Sequence, residues 1–307
     1  YVDTDNQSHW LFDSFLFLEI MDTGTGGANK MFAKGYNLES ANQADWTKLI
    51  DYYFQSETGI GALDASVKEA SAILGTPRQK RQIVISIPEP IVYQHPEQAS
   101  SSTKYWGKID NQTLDFSNSA DRIKACKWYI DQVRAKFNEK NYQHVELAGF
   151  YWLAEKATDT RDILNAVAIY LNKLKYSFNW IPYYGADGYN QWKSLGFNYA
   201  YFQPNYFFNE SVPDSRLEDA CQKALTYDMH MELEFDDNAL NSRGKAYRLK
   251  NYMSAFKKHG IWEKKRLAYY QGSASLLTLK KSGNAADTQL YHEFCNFVIS
   301  RPIRSSH

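Results

Sequence analysis

Cysteine is scarce in this chain. Three occur in 307 residues, and Cys126, Cys221 and Cys295 lie far apart, outside any CxxC or Cys/His cluster. That excludes zinc ribbons, iron–sulfur sites and dithiol redox chemistry, and predicts three unpaired thiols buried at apolar helical positions. Net charge is missing too, since 35 basic residues balance 35 acidic ones. Such a chain has no electrostatic footprint for nucleic acid or an anionic membrane surface. No run of 18 apolar residues occurs, so hydropathy supplies no membrane span. Phosphate signatures are lacking as well: there is no GxxxxGK[ST], and Gly24-Thr25-Gly26-Gly27 fails the dinucleotide fingerprint because Asn29 stands where its third glycine belongs. No GxSxG occurs and no histidine follows a candidate nucleophile, which disfavours a serine hydrolase. No Pro/Gly/Ser-rich linker, short repeat or low-complexity tract divides the sequence, so residues 1–307 read as a single domain. The polar start at Tyr1, without methionine, fits a trimmed chain, and a removed signal peptide fits an exported protein: secreted, periplasmic or at the cell surface.

Aromatic side chains, by contrast, are abundant. The chain holds 8 Trp, 23 Tyr and 17 Phe, 16% of its residues. Their flat apolar faces and polar edges suit cores, interfaces and sugar platforms alike. Seven short segments rich in aromatic and β-branched residues read as strands: Ser14–Met21, Arg81–Pro90, His144–Glu155, Phe178–Ala186, Asn198–Phe207, His230–Asp237 and Lys265–Gly272. Amphipathic stretches between them, among them Ala120–Asn138, Thr160–Lys175, Ser215–Tyr227 and Ala246–Lys258, read as helices. Strand and helix alternating along the whole chain imply right-handed βα units and a parallel sheet. The predicted fold is therefore α/β, a TIM-like (β/α)8 barrel with seven strands clear and the eighth near Leu276–Leu279 or at the N-terminus.

Two long polar loops, Asp22–Gln43 and Ile91–Ser119, follow the first two strands. Loops at the C-terminal ends of barrel strands are where function is usually built. The second loop carries Tyr93, His95 and the pair Tyr105-Trp106. That pair would stack on a pyranose face, or equally plug the loop onto the barrel.

Acidic residues recur near the strand ends: Glu19, Glu89, Glu155 and the set Glu232, Glu234, Asp236 and Asp237. A parallel strand is buried on both faces, so a carboxylate within one is costly unless it has partners or chemistry to perform. In HMELEFDD the period of two puts Met231, Leu233 and Phe235 on one face and Glu232, Glu234 and Asp236 on the other. The acids would line the barrel interior, form the solvated face of an edge strand, or bind a metal together with His230. In GFYWLAE, Glu155 shares a face with Tyr151 beside Trp152, a setting that raises a carboxyl pKa and suits a general acid. An acid ahead of the following helix is the plainer account. Tyr201, Gln203 and Asn205 on the fifth strand, with Tyr183 and Tyr184 on the fourth, offer the paired hydrogen bonds that sugar hydroxyls need. Arginine and lysine clusters are missing from strand ends, which argues against phosphorylated substrates.

The combination of GFYWLAE, FQPNYF and MELEFDD resembles a domain-of-unknown-function family of TIM-barrel, glycoside-hydrolase-like proteins from gut Bacteroidetes and Gram-positive bacteria. The resemblance spans most of the chain and implies a (β/α)8 fold, export and a carbohydrate substrate. Tyr151, Trp152 and Glu155 fall in one of its motifs, Gln203, Pro204 and Asn205 in another, and Glu232, Glu234 and Asp236 in a third.

The expectation is thus a secreted glycosidase acting on an oligo- or polysaccharide through paired carboxylates, with no metal and no cofactor. Glu155 is the expected acid and Glu234 the nucleophile or base, with Glu232 as its substitute. Tyr93, Trp106, Tyr151, Trp152, Tyr184, Gln203, Asn205 and Asp236 are the expected substrate contacts. The rival readings are a non-catalytic carbohydrate-binding barrel and a metal-dependent polysaccharide hydrolase or deacetylase using His230, Asp236 and Asp237.

Overall fold

The computed structural model describes residues 1–22, 29–272 and 274–302. The glycine cluster at Gly24–Gly27 lies outside them. Seven parallel strands appear where the sequence puts them: β1 (Ser14–Phe17), β2 (Arg81–Ile87), β3 (Val145–Trp152), β4 (Ser177–Trp180), β5 (Tyr199–Phe202), β6 (His230–Glu234) and β7 (Leu267–Tyr270). The helices are α1 (Gln43–Tyr53), α2 (Ile60–Leu74), α3 (Ser119–Lys140), α4 (Arg161–Lys173), α5 (Ser215–Thr226), α6 (Ala246–Lys258), α7 (Ile261–Lys264), α8 (Ser275–Lys281) and α9 (Ala285–Ile299). Helix-crossed parallel strands of this kind belong to the TIM-like (β/α)8 class, and seven of its strands are present. Leu276–Leu279, one expected place for the eighth, is helical within α8. The other, the N-terminal segment, forms only the single bridge Val2↔Ser8 among the described residues.

The chain divides into two compact units that interleave along the sequence. The larger comprises Phe12–Trp180 and Gln191–Asn198. Its strands β1, β2, β3 and β4 are parallel neighbours in that order. Their alternation sends Phe150 and Trp152 against Tyr176 and Phe178, with rings 5.6 and 5.9 Å apart. Gly149 lies on the opposite face, where a Cβ would come within 2.0 Å of Ser177 Oγ and 2.5 Å of its carbonyl oxygen, so no side chain fits there. Helix α1 starts at a reciprocal capping box in which Asn42 accepts from the Asp45 amide and Asp45 from the Asn42 amide. A second aromatic core, Trp46, Trp106, Phe116 and Tyr129, fills the space between α1, α3 and the 91–119 loop.

The other unit comprises Tyr1–Leu11, Ile181–Asn190 and the chain from Tyr199 onward. In it β6 lies between β5 and β7, both parallel to it. The first residues of the chain join the last helix. The Tyr1 hydroxyl is 2.8 Å from His292 Nδ1 and donates to Asn296 Oδ1 at 3.2 Å, and its ring meets Tyr291 edge-on. Cys126, Cys221 and Cys295 are free and buried, and burial pushes each thiol up to about 12.

Candidate functional site

In the larger unit, β2 and β3 are in register as far as Ile87↔Trp152. Glu89 is the second residue beyond that pair on one strand, and Glu155 the third beyond it on the other. Neighbouring strands lie about 4.8 Å apart, so the two residues leave the sheet side by side at its C-terminal rim. Glu89 is only 6% exposed. Burial pushes its carboxyl up to about 7; the Lys34 amide, donating to Oε2 at 2.7 Å, opposes the rise, and the negative charge of Asp159 adds to it. Its own backbone is held by the Phe32 carbonyl at 2.8 Å. The Lys34 ammonium pairs with Asp159, 3.1 Å away, and its charge and that of Lys156 oppose the rise without cancelling it. A cavity of about 80 Å³ borders Glu89, lined also by Lys34, Tyr93, Pro96 and Asp159. It has room for a few waters, enough to connect the buried carboxyl with solvent.

Glu155 is half-buried, and its charge helps to raise the pKa of Tyr36, after the larger effect of burial. Tyr36 is one of the few exposed aromatics. The rim therefore carries two carboxyls in different settings: one buried and inclined to keep its proton, the other beside an open ring. Such a division is what acid/base chemistry at one site requires. Glu19, at the end of β1, is a third acid here whose pKa is raised, by burial and by Asp22.

Trp106, expected at a sugar face, is 1% exposed. It packs edge-on against Trp46 and Trp128 and flat against Phe116, so it plugs its loop and offers no face to a ligand. Tyr105 is tied down as well, donating to the Ile91 carbonyl at 2.6 Å. Tyr151 and Trp152 are buried, and the Trp152 indole donates to Thr160 Oγ1 at 3.3 Å. Tyr93 is half-buried at the edge of the small cavity.

The second acid-bearing strand, β6, lies in the other unit. Met231, Leu233 and Phe235 are all fully buried. So is Glu234, at 0% exposure, which differs from an acid lining an open pocket. Three donors hold its carboxyl: Gln203 Nε2 at 3.0 Å, the Asn205 amide at 2.9 Å and the Tyr252 hydroxyl. The Asn205 amide reaches it because Asn205 adopts a left-handed turn, φ 52°, which asparagine tolerates well. Burial raises the pKa of Glu234 despite those donors, and it holds Tyr252 well above the usual phenol value, with the charges of Glu234 and Glu232 adding to it. Glu232 is buried too. The Glu234 carboxyl ties the end of β5 and helix α6 to β6, and its oxygens face protein donors.

Other expected contacts in this unit are similarly committed. The Tyr184 hydroxyl donates to Asp219, Arg216 sits 3.8 Å over its ring centroid, and its ring stacks on Phe202. Asp236 caps the turn after β6 by accepting from the Asn238 amide at 2.8 Å. His230 begins the strand that Asp236 follows, its Nδ1 accepting from the Arg266 amide at 3.2 Å. At the rise of an extended strand the two are about 20 Å apart, so the metal reading of His230 with Asp236 and Asp237 has no shared centre. Among the described residues no group of three or more His, Cys, Asp or Glu side chains could hold a metal ion.

Parallel βα units with carboxyls at their strand ends define an α/β protein of the TIM-like class. Residues 1–296 match a family profile, and the chain belongs to that family, described as a domain of unknown function, DUF4855. No curated protein matches it. Among solved structures it is similar to a family 18 chitinase from Crocus vernus, at 10% identity and a TM-score of 0.42 over 76% of this chain and 77% of that one.

Proposed function

We propose that the protein is a glycoside-hydrolase-like enzyme whose acid/base pair lies in the larger unit, Glu89 with Glu155. The observation that carries this reading is the state of Glu89: a carboxyl at a strand end, 6% exposed, bordered by a small cavity and pushed up to about 7. A proton donor to a glycosidic oxygen must still hold its proton near neutral pH. Glu155, half-buried beside Tyr36 on the neighbouring strand, serves as the ionised partner that stabilises the anomeric centre or activates water. The expectation from sequence gave the proton to Glu155; the deeper burial of Glu89 supports the reverse division. Glu234 becomes a positioning residue, since its oxygens are taken by Gln203, Asn205 and Tyr252. Export is part of the proposal, because a polymeric glycan is met outside the cell.

The test is reducing-end release from a panel of host and plant polysaccharides by the wild type, Glu89→Gln and Glu155→Gln. Each substitution is expected to lower turnover by about 10²–10⁴-fold. An aryl glycoside with an acidic leaving group needs little protonation and should partly spare Glu89→Gln alone. Wild-type kcat/KM should fall above pH 7, as Glu89 loses its proton. Undiminished turnover in both variants on a confirmed substrate would refute the assignment.

A further inference from the structure

Most aromatic side chains of this protein are buried or half-buried. Among the described residues only Tyr36, Phe208, Tyr247 and Tyr270 are exposed aromatics, and the last three belong to one unit. Phe208 follows β5, Tyr247 opens the helix after β6, and Tyr270 ends β7, so all three stand at C-terminal strand ends. Their exposures are 41%, 44% and 45%.

The scaffold beneath them is tied together by hydrogen bonds. The guanidinium of Arg248, itself buried, donates to three carbonyls of one loop: Tyr206 at 3.1 Å, Asn209 at 3.0 Å and Val212 at 3.0 Å. Lys245 Nζ donates to the carbonyl of Phe208 at 2.8 Å, and the Tyr247 hydroxyl donates to Glu210 Oε1 at 3.3 Å. Phe207 is wholly buried while its neighbour Phe208 is held out. The Phe208 and Tyr270 rings meet at 76° with centroids 6.0 Å apart, which makes an inside corner. Tyr270 is the register partner of Glu234, so the corner stands on the face that carries the buried acids. Beside it Gly272, at φ +63°, lets the backbone pass against Asp236, whose Cβ lies 3.0 Å from where a side chain would begin.

We propose that the Phe208–Tyr270 corner, flanked by Tyr247, is a carbohydrate subsite that stacks on the apolar face of a neutral pyranose. This deepens the reading of the protein as acting on a glycan and rests on it. Size argues for the occupant. A large aromatic buries about 150–250 Å², so three rings exposed to this extent present roughly 250 Å² together. A stable protein partner needs about 800 Å² a side. One or two sugar rings fit, and their hydroxyls meet the polar edge of the corner, Tyr247 with Glu210 and the ammonium of Lys245. Because Arg248 has already fixed the loop, little ordering is left for the ligand to impose.

Affinity electrophoresis through gels holding hydroxyethyl cellulose, arabinoxylan, galactomannan or glycol chitin tests this, with the wild type beside Phe208→Ala, Tyr270→Ala and the double variant. Unchanged circular dichroism and melting temperature would show that the exposed rings are not needed for folding. The expected result is retardation of the wild type by at least one polymer, with affinity lowered roughly tenfold for each ring removed. Equal retardation of wild type and double variant overturns the subsite and leaves the glycan reading intact. Retardation lost in the variants, from a wild type that releases no reducing ends, keeps the subsite and removes the hydrolase. No retardation of the wild type by any polymer overturns the subsite. So does a wild-type dimer that Phe208→Ala converts to a monomer, since the corner would then be an interface between copies.

Discussion

Replacing Glu89 with glutamine should make the protein more stable at high pH than at low pH relative to the wild type. The carboxyl moves from an ordinary 4.5 to about 7 on folding because it is almost completely buried. Below pH 4.5 it is protonated in both the folded and unfolded chains and folding carries no penalty. Between the two values the folded chain keeps a proton that the unfolded chain has released, so stability falls as pH rises and the loss is complete above about pH 7. At about 1.4 kcal/mol per pH unit this interval corresponds to about 3 kcal/mol. Glutamine keeps an oxygen for the Lys34 amide and never ionises. With an unfolding entropy of about 2.1 cal/mol/K per residue, a chain of 307 residues turns that difference into about 5 °C in Tm. Differential scanning calorimetry of both proteins from pH 4.5 to 8.5 reads it directly. Shifts from other groups cancel in the comparison, so the Tm of Glu89→Gln minus that of the wild type should grow by about 5 °C across the range. Parallel curves would mean that Glu89 ionises freely in the folded protein, and its role as proton donor would go with them.

Tyr252→Phe removes one of the donors to the buried carboxyl of Glu234 and should cost about 1–3 kcal/mol in denaturant unfolding; an unchanged midpoint would mean that the remaining donors suffice. Gly149→Ala puts a methyl within 2.0 Å of Ser177 Oγ and 2.5 Å of the Ser177 carbonyl, so soluble yield and Tm should both fall steeply. Normal behaviour of that variant would contradict the β3–β4 packing. The buried thiols, at about 12, should resist Ellman's reagent in the native protein and all three react after denaturation; rapid labelling of any native thiol counts against this packing.

The strands were legible because each is a short apolar or aromatic run closed by turn residues, and helices such as Ala246–Lys258 kept to their amphipathic period. Leu276–Leu279 misled for the opposite reason. Four residues are too few to separate the two periods, and Ser275, Leu276 and Leu279 are buried at helical spacing. The candidate site was legible in part. Acids at strand ends stood out, Glu89 among them, but nothing local distinguishes it from Glu155. Its elevated pKa comes from burial by the surrounding chain, to which the charge of Asp159, 70 positions away, adds. Glu234 misled similarly, because one of its donors is a tyrosine on the following helix. Trp106 was one aromatic among many, and only its neighbours Trp46, Phe116 and Trp128 decide that both its faces are covered.

The pairing of Tyr1 with His292 and Asn296 sets an order of events during synthesis. At roughly 5–20 residues per second, the ribosome needs on the order of 15–60 s to bring the partners of the first residue into being. Until helix α9 is made, Tyr1–Leu11 has nothing to settle on, although β1 to β4 are complete more than 100 residues before His292. The segment Tyr1–Leu11 is thus among the last parts of its unit to find a native place.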